Sequence, residues 1–353
     1  MFKAFLFLIS IFCFAASASC QQRDTIVYYF KHNLNRDGKD ILVTTIDSAD
    51  YVRAILPADS GDVMPNVKEY YTNGNVKFIG KSYFDGPFYF KKATMLLTGD
   101  CVSFYPNGKR KGILHYSNGY KDGDEYLYYP TGKLFSRTKN VHGKIVFYVK
   151  SLYLDCYDPS GKLICENGRG HWTVYDDEFK NMILEGEVIN GLPEGIWHGK
   201  TGEADSIKYT YQYEKGKFIR GTGIDRNGVA YPFTEENTLG MYKNSLMVFI
   251  DLINRKIKGF RGSNGEKISL KNVSVSFIIE KDGSLSHPEV LGDLDSAIKE
   301  KIAAILLRES GWMPHKYYGI PLKTKIIIPL NYETNGSYSA QHSVVSFSEF
   351  VVE

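Results

Sequence analysis

Cysteine is scarce in this 353-residue chain: there are five, with no Cys-x-x-Cys pair and no His-rich spacing, so the usual zinc and dithiol frameworks are absent. Proline numbers only 12, too few for a long polyproline spacer. Charge of one sign is missing too. The 43 Lys and Arg against 40 Asp and Glu leave +3, which gives no nucleic-acid footprint. No Gly-rich loop stands between a strand and a helix, which removes the Walker and Rossmann fingerprints. His115, His142, His171, His198, His287 and His315 are scattered one per turn or strand, without a spacing that converges them. Asp176-Asp177-Glu178, beside Tyr175, reads as a solvated turn. The expectation is a protein that is not an enzyme, with no catalytic, cofactor-binding or metal-binding residue.

Long apolar runs are also lacking. Residues 4–14 form the apolar stretch after Lys3, shorter than the ~20 residues a membrane-spanning helix needs. Ala16-Ser17-Ala18 follows with the small residues of a cleavage site, so residues 1–19 read as a signal peptide and the chain as exported, to the periplasm or cell envelope. A retained membrane anchor is the competing reading. Ser17-Ala18-Ser19-Cys20 loosely resembles a bacterial lipoprotein box, with Ser17 in place of a larger aliphatic residue, so Cys20 is a candidate lipidation site behind simple cleavage. Export brings an oxidising compartment. Cys156 and Cys165 flank the turn sequence YDPSGKLI and are candidates for a cross-strand disulfide, although the register is not fixed by sequence.

What the chain has in quantity is 26 Tyr, 21 Phe and 33 Gly, a composition of strands and tight reversals. From residue 67 to 233 a theme recurs. EYYTNGNVKFIG (69–80) is echoed by VSFYPNGKRKGILHY (102–116), YLYYPTGKLFSRT (126–138) and LDCYDPSGKLICE (154–166). Each has aromatic residues, an x-Gly turn, then Lys and an alternating strand. Asn-Gly and Asp-Gly supply the positive φ of two-residue hairpin turns. One hairpin cannot bury its own aromatic face, so successive hairpins must join into a meandering sheet. Tyr105, Asn107, Gly108, Tyr116, Asn118, Gly119, Tyr129, Gly132, Asn190, Gly191, Gly195 and Trp197 resemble the MORN family and its bacterial YwqK-type variants. That resemblance implies association with protein or membrane. Residues 20–66 hold strand-like pieces, TIVYYF and DILVTTI, without a motif.

A different grammar begins at Val273. VSVSFIIEKDGSLSHPEVLG alternates, turns at Lys281-Asp282-Gly283 and returns: a hairpin. Next comes a helix, with Asp293 or Asp295 as its cap and Leu294, Ile298, Ile302, Ile305 and Leu306 as its apolar face. Gly311 stands where a C-terminal cap belongs. Trp312 is placed to plug the core, Pro314 stops the helix, and Gly319 with Pro321 turns the chain into a last strand over residues 322–332. In that strand Thr324 and Ile326 share one face, Lys323, Lys325 and Ile327 the other. Pro329 favours a sheet edge, or at least an end of pairing.

Phe277-Ile278-Ile279-x-x-Asp282-Gly283, the helix, Trp312-x-Pro314, Gly319-x-Pro321-Leu322 and Ile328-Pro329-Leu330-Asn331-Tyr332 resemble the C-terminal domain of TonB-type proteins, in the version of Bacteroidetes envelope proteins. The resemblance spans residues 273–332, with a helical preface from Asn237 to about Lys258. It implies a ββαβ fold that recognises an extended peptide of an outer-membrane receptor or other envelope protein by strand addition, in the setting of TonB-dependent outer-membrane transport. Lys323, Thr324, Lys325, Ile326 and Ile327 would be the accepting edge. Asp282, Gly283, Trp312, Pro314, Gly319, Pro321 and Pro329 would hold it in shape. TonB transducers carry an N-terminal anchor and a Pro-rich spacer; here a cleavable leader and few prolines stand instead. The expectation is therefore partner binding, with membrane association through the partner or a lipidated Cys20. A repeat-based scaffold binding lipid or protein is the alternative. The organisation read from sequence is a signal peptide (1–19), a β-rich segment (20–66), MORN-like repeats (67–233), the TonB-like domain (237–333) and a tail (334–353). The fold class is mainly β with an α+β C-terminal domain.

Overall fold

Alternating apolar and polar residues become antiparallel strands wherever the sequence repeats itself. A computed structural model describes residues 25–32, 40–83, 95–142, 149–201, 207–243, 245–263, 265–270, 272–330 and 346–350. The chain is mainly β, 55% strand and 10% helix. It divides into two compact units, Met1–Leu163 and Ile164–Glu353. The leader and Cys20 lie outside the described residues. No helix among the described residues is long and apolar enough to cross a membrane.

In the first unit, β1 (Ile26–Lys31) pairs with β2 (Ile41–Val43) and β3 (Tyr51–Leu56). The chain then meanders, each strand pairing with the next. The order is β3, β4 (Asn66–Tyr71), β5 (Val76–Ser82), β6 (Leu97–Phe104), β7 (Arg110–Ser117), β8 (Tyr120–Tyr128), β9 (Leu134–His142) and β10 (Val149–Tyr157). The motif-free N-terminal segment thus supplies three strands of the same antiparallel run. Its inward phase holds a buried charge pair. Arg53 on β3 and Glu69 on β4 are register partners, 1% and 5% exposed, with Arg53 Nε donating to Glu69 Oε1 at 2.8 Å.

Two kinds of reversal join the strands, where the sequence predicts one. At Asn118-Gly119 both residues have positive φ (51° and 84°) and Ser117 faces Tyr120, the two-residue type I′ turn. At Tyr105–Lys109 only Gly108 is left-handed; Gly108 N–H donates to Tyr105 O and Tyr105 N–H to Lys109 O. That is the three-residue loop closed by a glycine bulge. Asn107 instead bends its side chain back, accepting from Lys109 N–H at 2.9 Å.

The second unit continues with β11 (Leu163–Glu166), β12 (Arg169–Tyr175), β13 (Met182–Ile189), β14 (Leu192–Lys200), β15 (Lys208–Glu214), β16 (Lys217–Ile224) and β17 (Ala230–Phe233), again each on the next. Here the joint abundance of glycine and aromatics acquires a cause. Gly199 faces Tyr209 and Gly221 faces Phe233 across neighbouring strands, and a Cβ on either glycine would lie 2.1 Å from the ring opposite. The rings lie flat over bare backbone, so small and large residues are paired by necessity.

The C-terminal module follows in this unit. β18 (Asn237–Thr238) and β19 (Met241–Tyr242) precede α1 (Leu246–Ile257), so the helical preface starts later than expected. Then come β20 (Ser274–Ile279), β21 (Leu285–Leu291), α2 (Ser296–Leu307), β22 (Trp312–Met313), β23 (His315–Tyr317), β24 (Ile320–Leu322), β25 (Thr324–Pro329) and β26 (Ser346–Phe350). β20, β21, α2 and β25 form a ββαβ unit with sheet order β21-β20-β25-β26. Phe249, Ile253 and Ile257 of α1 and Ile298, Ile302 and Leu306 of α2 close over Val275, Phe277, Ile279, Ile326 and Ile328. Several local expectations are corrected. Asp295 precedes α2 but its carboxylate accepts from Ser263 N–H at 2.7 Å, not from the helix. Gly311 lies three residues beyond the Arg308 cap, where its φ of 102° bends the chain into Trp312. Pro321 is inside β24, opposite Lys316, while the turn itself is Tyr318-Gly319 with both φ positive. The expected last strand is split, with Lys323 between β24 and β25; residues 331 and 332 lie outside the described residues.

Candidate functional site

The direction of backbone groups along β25 defines the site. Leu330 N–H donates to Val273 O at 2.9 Å, toward β20, and the β20–β25 register runs without a break from Ser274↔Pro329 to Ile279↔Thr324. Successive residues of a strand point their N–H groups to opposite sides. Hence Thr324, Ile326 and Ile328 face β20, while Lys325 and Ile327 offer their N–H groups outward. Pro329 belongs to the outward set and has no N–H, so the outer ladder stops there. This corrects the simple reading of Pro329: it ends pairing on one side only.

That outer side is covered. β26 pairs antiparallel along β25, with Thr324↔Phe350, Ile326↔Phe347 and Ile327↔Ser346 in register. Lys323, Thr324, Lys325, Ile326 and Ile327 therefore do not form an open margin. The chain's own tail takes the position foreseen for a guest, because residues 331–345 give it enough length to return antiparallel. The signal in sequence was faint: SFSEF is short and alternates only weakly.

Trp312 is 5% exposed, edge-on to Phe249 at 4.9 Å, Phe277 at 5.2 Å and Tyr242 at 5.4 Å. Gly283 closes the β20–β21 turn at φ 85°, and a Cβ there would lie 2.4 Å from Trp312 O, so the turn is pressed against the tryptophan's backbone. Asp282 Oδ1 accepts from Ser284 N–H at 2.9 Å and from its hydroxyl. Pro314 sits between β22 and β23, well after α2 has ended. The Lys323 ammonium lies 3.4 Å from Glu280. Hydrogen bonding from Ser286, with Lys323 beside it, holds the Glu280 carboxyl below the usual carboxylate range. The Tyr318-Gly319 turn docks onto the hairpin strands. Tyr318 stacks on Tyr209 at 4.1 Å, Tyr211 donates to Glu236, and a Cβ at Gly223 would lie 2.2 Å from Tyr318 O.

Among the hairpins, one rim carries a repeated set of ties that sequence reading missed. Tyr71, Tyr105 and Tyr129 hydroxyls donate to the carbonyls of Phe104, Tyr128 and Tyr157, at 2.8, 2.6 and 2.8 Å. Asn73 donates to Pro106 O and Asn107 to Pro130 O, while Lys133 reaches Pro159 O and Ser160 O. Each turn is thereby bolted to the turn of the next hairpin. Residues 97–118 and 121–138 match the MORN repeat variant. The first match covers β6, its turn and β7; the second covers most of β8, its turn and the first half of β9. The MORN hairpin is thus one strand–bulged turn–strand unit whose tyrosine ties it forward. No TonB C-terminal domain match accompanies it. No curated protein matches the chain.

The scattered polar residues stay apart. Asp176 accepts from Lys180 and Asn181 N–H groups and shapes a turn. His171 lies between Glu185 and Glu187 at 3.0 and 3.2 Å. Among the described residues no group of three metal-ligating side chains converges. Cys156 and Cys165 are both buried, 0% and 1% exposed.

Proposed function

We propose that this chain is an exported cell-envelope protein that acts by binding. Its C-terminal ββαβ module, resembling that of TonB, takes up an extended peptide of an outer-membrane receptor or other envelope partner by strand addition along β25. The observation that carries this reading is the pairing of β26: the outer edge of β25 already accommodates a short antiparallel segment at the register positions Thr324, Ile326 and Ile327. Backbone hydrogen bonds give such an edge affinity for any extended chain, and neighbouring side chains select among them. Within the second unit, Tyr209 and Tyr211 of β15 pack against Tyr318 of the module and give it a mount on the neighbouring hairpin strands. The setting of TonB-dependent transport belongs to this reading.

The test is recovery of envelope proteins by wild type and by Ile327→Pro, which removes an outward N–H and leaves the β20 ladder intact. Loss of specific partners by the variant supports strand addition, and equal recovery by both contradicts it. A second reading rests on the aliphatics Ile189, Ile196 and Ile219, 39%, 59% and 37% exposed on the hairpins. In it the repeats are the binding surface for lipid or protein, and partner recovery survives Ile327→Pro but falls when these three become serine.

A further inference from the structure

We infer that the C-terminal segment 346–350 is a built-in pseudo-ligand: it occupies the β25 edge, must be displaced by a partner, and its sequence reports the chemistry of the peptide that the edge selects. This rests on the reading of β25 as a strand acceptor.

Three observations carry it. First, the tail is the weaker of the two neighbours of β25. Among the described residues β20 meets β25 over six consecutive register pairs, whereas β26 meets it over three, with an irregularity between Thr324 and Ile326. A short, interrupted ladder exchanges more readily than a continuous one. Second, the outer ladder of β25 has a limit of its own: the next outward position after Ile327 is Pro329, which has no N–H to give. Third, its connection differs from that of an ordinary hairpin. Residues 330–345 separate β25 from β26, where hairpin strands are commonly joined by two to five residues. By its separation along the chain, the tail is treated as a strand tethered to the edge. A tethered strand of this kind competes at an effective concentration on the order of 1 mM. If a free copy of the segment bound the open edge with a Kd of about 0.1 mM, tethering would leave the edge roughly tenfold less available.

The register also specifies the guest. Phe347 stands opposite Ile326 and Phe350 opposite Thr324, and both β25 residues are 2% exposed on the helix-covered side of the sheet. The guest we infer is accordingly an antiparallel peptide with aromatic residues at the two register positions held by Phe347 and Phe350.

The test uses a fluorescein-labelled peptide of residues 343–353 (SVVSFSEFVVE) and fluorescence anisotropy. The full chain is compared with a full-length variant carrying Phe347→Pro and Ser348→Pro. Two successive prolines remove one inward N–H of the tail whatever its phase, without touching the folded module. The expected result is saturable binding by the variant and at least tenfold weaker binding by wild type. A peptide with both phenylalanines replaced by alanine should bind the variant at least tenfold more weakly than the native peptide. Equal binding by wild type and variant, abolished in both by Ile327→Pro, overturns the tail's occupancy and leaves strand acceptance standing. No binding by either overturns both. A wild-type dimer in sedimentation that the proline pair dissolves overturns pairing within one chain.

Discussion

The buried Arg53–Glu69 pair is a demanding place to perturb the first unit. Glu69 Oε1 accepts from Arg53 Nε at 2.8 Å and from a terminal guanidinium nitrogen at 2.7 Å, and Oε2 takes Lys77 Nζ at 2.7 Å. Arg53 also lies over the Phe30 ring at 4.4 Å and Lys77 over Tyr51 at 3.7 Å. Glu69→Gln keeps the shape but leaves a guanidinium that is 1% exposed without its counter-charge. Removing one partner of a buried pair costs about 3–5 kcal/mol. The amide retains one acceptor, so the lower end, about 3 kcal/mol, is expected. In a unit of this size that lowers Tm by roughly 6–12 °C. The double variant Arg53→Met with Glu69→Leu removes both buried charges and should recover most of the loss, because the guanidinium is no longer stranded and Lys77, 22% exposed, reaches water. Thermal and urea unfolding of the four proteins, followed by circular dichroism, gives the cycle. A loss below about 1 kcal/mol for Glu69→Gln, or a double variant worse than the sum of the singles, refutes the reasoning.

Three further outcomes follow from single contacts. Gly283→Ala places a Cβ 2.4 Å from Trp312 O at a φ of 85°, and should cost about 2 kcal/mol or more, with a red shift of tryptophan emission. Tyr129→Phe removes the hydroxyl that donates to Tyr157 O and should cost about 1 kcal/mol in urea unfolding. Burial pushes the Cys101 thiol up to about 11, so at pH 8 it stays protonated in the native chain. Alkylation at that pH should therefore await unfolding, and fast labelling of Cys101 in the folded protein contradicts the placement.

What was legible in sequence was whatever rests on a short local pattern. Val273, Val275, Phe277 and Ile279 alternate and form an inward face; Lys281-Asp282-Gly283 turns; Ile298, Ile302 and Leu306 recur at helical spacing and are buried. Trp312 was recognisable because a tryptophan between a helix and a proline has few places to go but the core. Features that depend on partners distant in sequence were not legible. Asp295 turns to Ser263 instead of its own helix, which no capping pattern reveals. Arg53 and Glu69 sit in the inward phase of neighbouring strands, where a charge reads as an error until its opposite is found across the register. That coincidence of opposite charges in inward phase was the signal available. The tyrosine ties of the rim end on carbonyls, which have no side-chain signature. The pairing of residues 346–350 with β25 was hidden for a related reason: five residues with one alternation carry too little pattern to name a partner strand.

Residue-resolved amide hydrogen exchange at β25 tests the central claim most directly, in the full chain, in the Phe347→Pro/Ser348→Pro variant, and in that variant with the 343–353 peptide added. The account predicts that Lys325 and Ile327 lose protection in the variant and regain it with the peptide, while Ile326 and Ile328 stay protected by β20 throughout. Protection of all four that neither the prolines nor the peptide changes, or a collapse of all four together, would contradict it.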